Sequence, residues 1–146
     1  MTVKQPLKPI LAALAVLTAT GAQADAPDGE ALYTTYCAAC HGADLEGASD
    51  WRRPGPDGLL PAPPHDETGH TWHHGDQFLF DYVKLGGQQV LDNLGVRFTS
   101  AMPTFDGILT DVEIEAILGF IRASWPERIR EIQAARTAME AEIDQQ

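Results

Sequence analysis

Cysteine is scarce: the 146 residues contain two. That excludes a scaffold stapled by several disulfides. Basic residues are also few, with 10 Lys and Arg against 21 Asp and Glu, a formal net charge of -11. So acidic a surface argues against general binding to nucleic acid or anionic lipid. No apolar run reaches the ~20 residues of a membrane-spanning helix. No internal repeat occurs, and no alternating apolar run marks a strand. What is present fits one globular domain: the length suits a single core, and 44 % hydrophobic with 21 % charged residues is enough to pack it.

The first residues read as an address. Lys4 and Lys8 form a basic start, Ile10 to Thr18 an apolar stretch, and Ala22-Gln23-Ala24 the small-x-small pattern that signal peptidase accepts. This predicts a signal peptide over residues 1–24, a mature chain from Asp25, and a periplasmic location. A buried N-terminal helix and an uncleaved anchor are the alternatives, although the apolar stretch is short for a span.

Beyond it, Pro27-Asp28-Gly29-Glu30 reads as a helix start with acids at the positive end of the dipole. Ala31, Leu32, Tyr33 and Tyr36 carry the helical pattern on into Cys37-Ala38-Ala39-Cys40-His41-Gly42. From Gly42 to about Gly75, prolines 54, 56, 61, 63 and 64 forbid a long helix. Gln77 to Leu85 reads as a short helix closed by Gly86-Gly87. A loop through Met102-Pro103-Thr104-Phe105 follows, and Thr110 caps a helix with Ile114, Ile117, Leu118 and Ile121 on its apolar face. Pro126 interrupts it. Glu127 to Gln146 reads as a helical tail with Ile129, Ile132, Ala135, Met139 and Ile143 near one face. The expected division is a signal peptide at 1–24, one domain at 25–126 and a helical tail at 127–146. The tail either lengthens the last helix, the reading its polarity favours, or lies on the domain, stands free or docks a partner.

The chemistry sits in Cys37-x-x-Cys40-His41. C-x-x-C-H is the attachment pattern of c-type haem: two thiols add to the vinyl groups, and the histidine reaches the iron from the proximal side. A turn of helix puts both sulfurs on one haem edge. Export agrees, because this attachment takes place outside the bacterial cytoplasm. A zinc site needs about four ligands, and no second cysteine pair exists. A thioredoxin-like pair needs a strand before it, where this pattern is helical. A plain disulfide leaves His41 without a role.

A second axial ligand is then needed. Past residue 24 the methionines are Met102 and Met139. Met139 lies in the polar tail, whereas Met102 lies in a loop between helices, able to wrap over the opposite haem face. Met102 is the candidate distal ligand, and a thioether there raises the reduction potential. Core filling is the plain alternative.

These residues resemble the mono-haem class I cytochromes c. The resemblance runs through Gly29-x-x-x-Tyr33-x-x-x-Cys37-x-x-Cys40-His41-Gly42, then Met102-Pro103, then the helix from Asp111 to Ser124 with Phe120 near its end, and covers about residues 27 to 125. It implies an all-α fold of a few short helices around one haem c, held covalently through Cys37 and Cys40. It also implies iron ligands His41 and Met102, and one-electron transfer between a donor and an acceptor protein rather than enzymatic turnover. It further implies crossed terminal helices meeting at Gly29, Tyr33, Gly119 and Phe120. A proline carbonyl, from Pro63 or Pro64, would accept a hydrogen bond from the proximal imidazole.

The middle loop departs from that family. Trp51-Arg52-Arg53 leads through a Pro- and Gly-rich stretch to His65-Asp66, and then to His70, Trp72, His73 and His74. One expectation is a haem-edge loop, with Trp and His donating to propionates and Arg52 or Arg53 pairing with them. A second metal held by His65, Asp66, His70, His73 and His74 is another; a solvated pH-sensitive patch is a third. The functional expectation is an electron carrier whose partners present basic docking patches. It touches membranes only through partner proteins or an uncleaved signal segment. The alternative is a haem subunit, sensor or catalyst with an open or histidine-ligated distal site.

Overall fold

The computed structural model describes residues 26–143; the expected signal peptide lies outside them. The described chain is all-helical, with an isolated bridge between Asp106 and Leu109 and no strand among these residues. The helices are α1 (Gly29–Tyr36), α2 (Ala38–His41), α3 (Asp76–Leu85), α4 (Gly87–Asn93), α5 (Asp111–Ser124) and α6 (Glu127–Ile143), with a 3-10 turn at Thr71–His73. No helix among the described residues is long and apolar enough to cross a membrane.

Helix α1 begins where Asp28 accepts from the amides of Glu30 and Ala31, both at 3.1 Å, which satisfies two otherwise orphaned donors. Helix α5 begins with a full capping box between Thr110 and Glu113. The two helices cross. Gly29 sits on α5 so closely that a Cβ would lie 2.1 Å from the Ala116 carbonyl oxygen, and the Tyr33 and Phe120 rings stand 5.4 Å apart. Gly119, expected at the same crossing, takes no part: a Cβ there meets nothing within 4 Å. The spacing that puts Ile114, Ile117, Leu118 and Ile121 on one face of α5 buries all four with Tyr33 and Trp125. Each such aliphatic burial contributes about 1.5–3 kcal/mol, which outweighs the few tenths a β-branched residue costs a helix.

Three expectations about elements change. The first helix is not continuous through the cysteines: it ends at Tyr36, Cys37 adopts φ -115°, and α2 restarts as a single turn. Gly86-Gly87 does not only stop α3. Gly86, at φ +85°, turns the chain, and Gly87 opens α4 with Val90 and Leu91 buried. Gly87 is closely covered: a Cβ would lie 2.1 Å from the Ser100 hydroxyl and 2.6 Å from the Tyr82 ring, so those side chains would have to shift.

The third change concerns the tail. The chain breaks at Trp125, in extended conformation (ψ 144°), so α6 does not lengthen α5. It folds back on the 3-10 turn and on α3. Its inward stripe is Ile129, Gln133, Thr137 and Glu140, mostly polar, while Ile132, Met139 and Ile143 of the expected apolar face are exposed. The reason is what α6 covers. Helix α3 has no side-chain cap of its own. Glu140 accepts from the Gly75 amide at 3.0 Å, and Thr137 accepts from the Asp76 amide at 3.1 Å. Gln133 donates to Asp76 Oδ1 at 2.8 Å, the oxygen that Arg122 of α5 also reaches at 2.6 Å. A polar helix face thus closes the polar end of another helix.

Candidate functional site

Cys37 lies at the junction of α1 and α2, and its carbonyl accepts from the amides of Cys40 at 3.1 Å and His41 at 2.9 Å. The three motif residues therefore share one turn. Gly42, at φ +84°, ends that turn in a conformation open to glycine. Tyr33 ties the turn to α1: its hydroxyl donates to the Gly42 carbonyl at 2.9 Å and lies 3.3 Å from the His41 carbonyl. Burial pushes the Tyr33 phenol well above its usual range, with Cys37, Glu46 and Asp66 adding to the effect, so this donor stays protonated at any physiological pH.

Both cysteines are free, with Cys37 buried and Cys40 exposed. Burial, reinforced by Cys40, pushes the Cys37 thiol up to about 11. His41 is buried. Its Nδ1 lies 2.8 Å from the Pro63 carbonyl oxygen, and a carbonyl only accepts, so Nδ1 carries the proton and Nε2 keeps a bare lone pair. Of the two prolines considered, Pro63 is the acceptor. Burial lowers the His41 pKa, and the bond to Pro63 opposes that shift. Two unpaired thiols and a neutral imidazole with one nitrogen held and one free form a donor set that fits a covalently held haem.

Met102 stands in the loop before α5, partly buried against the cluster that contains Cys37. The loop is held from both sides. The Gly87 amide donates to the Met102 carbonyl at 3.1 Å, and Thr104 Oγ1 donates to the Lys84 carbonyl at 2.7 Å. Gly86 makes the approach possible, since a Cβ there would come within 2.9 Å of the Thr104 nitrogen. Just ahead of Met102, Leu94, Val96 and Phe98 are exposed.

The histidine loop does not gather into a metal centre: among the described residues there is no group of three or more His, Cys, Asp and Glu poised to hold an ion. Its rings pair with other rings. His70 stacks on Trp51 at 5.6 Å, His73 on Trp72 at 3.7 Å and His74 on Phe78 at 4.2 Å. The donors expected to meet propionates also have protein partners. Arg52 lies over the Trp51 ring and reaches the Thr68 carbonyl, and Trp72 Nε1 donates to the Glu67 carbonyl. One contact had no signal in the spacing of the chain: the His65 ring stacks on His41, centroids 4.0 Å apart and planes 21° from parallel. Burial, then the neighbouring His41 and His70, hold the His65 pKa well below the usual histidine range.

Residues 24–121 match the family described as cytochrome c oxidase, cbb3-type, subunit III. The chain belongs to this family. It is a class I c-type cytochrome, and the Cys37-Ala38-Ala39-Cys40-His41 turn fits the C-x-x-C-H motif. A cytochrome of this kind carries electrons through haem and works with redox protein partners. No curated protein and no solved structure matches this cytochrome.

Proposed function

We propose that this cytochrome is a periplasmic, single-haem, one-electron carrier that makes no bond in a substrate. It would be cut after Ala24, leaving a cytochrome domain at 25–126 and a helical tail at 127–146. The haem, when bound, supplies one Fe(III)/Fe(II) couple. Cys37 and Cys40 would hold it as thioethers, and His41 Nε2 and the Met102 thioether would bind its iron. The observation that carries the reading is the His41–Pro63 bond, which presents Nε2 in the right tautomer beside two free thiols. Met102, in a loop pinned to Gly87 and Lys84, fits a fixed ligand whose position changes little between oxidation states.

The test is the visible spectrum of the mature protein, made in a host with c-haem maturation, in both oxidation states. A covalent c-type spectrum with the weak far-red band of ferric Met–His iron, lost in Met102→Ala, is expected. A high-spin spectrum, or one that Met102→Ala leaves unchanged, overturns the Met102 assignment. It would shift the function toward gas binding or catalysis.

Family membership favours a second reading, in which the cytochrome delivers its electron as a subunit of an oxidase. Purification from native cells separates the two: a carrier elutes alone, whereas a subunit elutes with cytochrome c oxidase activity.

A further inference from the structure

We infer that His65 is a positioning residue: its ring, laid flat on His41, fixes the rotation of the proximal imidazole plane. The inference rests on the proposed role of His41 as the proximal ligand.

The segment 63–65 holds His41 at two places. The Pro63 carbonyl accepts a hydrogen bond from His41 Nδ1–H, with N···O 2.8 Å. A single hydrogen bond along that edge fixes where Nδ1 points but leaves the ring free to rock about the bond. The His65 ring, two residues on, covers the face of His41 at 4.0 Å with planes 21° apart, and a flat neighbour at that distance opposes rocking by direct contact. Edge and face together fix the plane.

His65 can do this because it is itself fixed at its side chain and on both sides of its backbone. Its Nδ1 lies 2.8 Å from the hydroxyl of Thr71, which is buried and also lies 3.4 Å from the Pro64 carbonyl. With the Thr71 hydroxyl donating to the Pro64 carbonyl, His65 Nδ1–H donates to Thr71 Oγ1. The His65 amide donates to the Leu45 carbonyl at 2.8 Å. Its carbonyl accepts from Trp125 Nε1 at 2.7 Å, and Trp125 is 2 % exposed. The Tyr33 ring meets the His65 ring edge-on at 6.2 Å. The support therefore reaches from the ring of His41 to the end of α5.

The plane of an axial imidazole sets how its π orbitals overlap those of low-spin ferric iron. That orientation is read in the spread of the paramagnetically shifted haem-methyl resonances, and in the g-anisotropy of the ferric state. A residue that only fills space leaves both unchanged once the fold is intact.

The test compares wild type, His65→Phe, His65→Ala and Thr71→Val as purified ferric holoproteins, by NMR and electron paramagnetic resonance, with the reduction potential measured alongside. The wild-type spectrum comes first. If it lacks His-ligated low-spin iron, the assignment of His41 fails, and that failure is distinct from any result with the variants. Given that spectrum, His65→Phe keeps a flat face and is expected to keep the wild-type methyl pattern. His65→Ala is expected to change the methyl spread and shift the potential, and Thr71→Val to move both in the same sense by less. Where His65→Ala does not yield holoprotein, His65→Leu takes its place, since it fills the volume without a flat face. A wild-type methyl pattern and potential in the non-aromatic variant overturn the inference. So does a change in His65→Phe as large as in that variant.

Discussion

Gly29 has no room for a methyl group. An added Cβ would stand 2.1 Å from the Ala116 carbonyl oxygen and 3.1 Å from Phe120 Cβ. The first of these is backbone in the middle of α5, which cannot move aside without disturbing its own hydrogen bonds. Gly29→Ala gains helix propensity worth about 1 kcal/mol and meets an overpacking cost of about 1–3 kcal/mol or more. The clash wins, because α1 must back away from α5 and loosen Tyr33. Because Gly29 is the first residue of α1 and gains only part of the helix-interior propensity, chemical denaturation of the holoprotein should show a net loss of about 1–2 kcal/mol in Gly29→Ala. Gly119→Ala, where the added methyl meets nothing within 4 Å, should be neutral or slightly stabilising. The same pair separates a glycine required by packing from one that only looks so in the sequence.

At the scale of elements, the N-terminal end of α3 is the joint to test. Its first amides are capped by Thr137 and Glu140, about sixty residues further along the chain. Loss of a helix cap costs about 0.5–2 kcal/mol. Glu140→Ala should therefore lower stability by about that much, and Glu140→Gln, which keeps an acceptor, by less; thermal melts of the three proteins decide it. The same joint carries a pH dependence. Burial, then His70, His73 and Arg136, lowers the His74 pKa to about 4. In the unfolded chain it returns to the ordinary value near 6.5. The unfolded state then binds the extra proton between those two values, so stability is full above about 6.5 and falls as pH drops toward 4. His70 shifts in the same direction, so it adds to the fall. The melting temperature should decline across pH 6.5 to 4, and His74→Phe, which keeps a ring against Phe78, should make the decline shallower. A slope unchanged in His74→Phe would remove His74 from the account.

What could be read from the sequence was local. The Cys37-x-x-Cys40-His41 turn, the Thr110 cap and the Ile114–Ile121 stripe all depend on residues within four or so of one another, where helix geometry does the placing. Helix α4 was not legible, because Gly86-Gly87 reads as a stop until Ser100 and Tyr82 close on Gly87 from elsewhere in the chain. The inward face of α6 was misread for a related reason. An apolar stripe predicts burial only where the surface it meets is apolar, and here that surface is the polar start of α3. The His65 ring on His41 was hidden too, since 23 residues of loop separate the two and no periodicity records a loop's path.

The whole molecule is an anion. With 21 acidic against 10 basic side chains and a net charge of -11, its field attracts a redox partner that presents a basic surface and repels an acidic one. An electron carrier must dock and leave quickly, and attraction at long range speeds encounter without a tight contact that would slow release. Salt screens such a field: the Debye length shrinks from about 30 Å at 0.01 M to about 8 Å at 0.15 M. Stopped-flow measurement against a basic redox protein should therefore give a second-order rate that falls several-fold over that range. An acidic redox protein of similar driving force should give a rate that rises with salt, because the same screening then weakens repulsion. Opposite slopes would place the long-range field of this cytochrome in control of partner choice. A rate that ignores ionic strength with the basic partner would mean that encounter is governed by an uncharged patch, with exposed Leu94, Val96 and Phe98 the first side chains to replace.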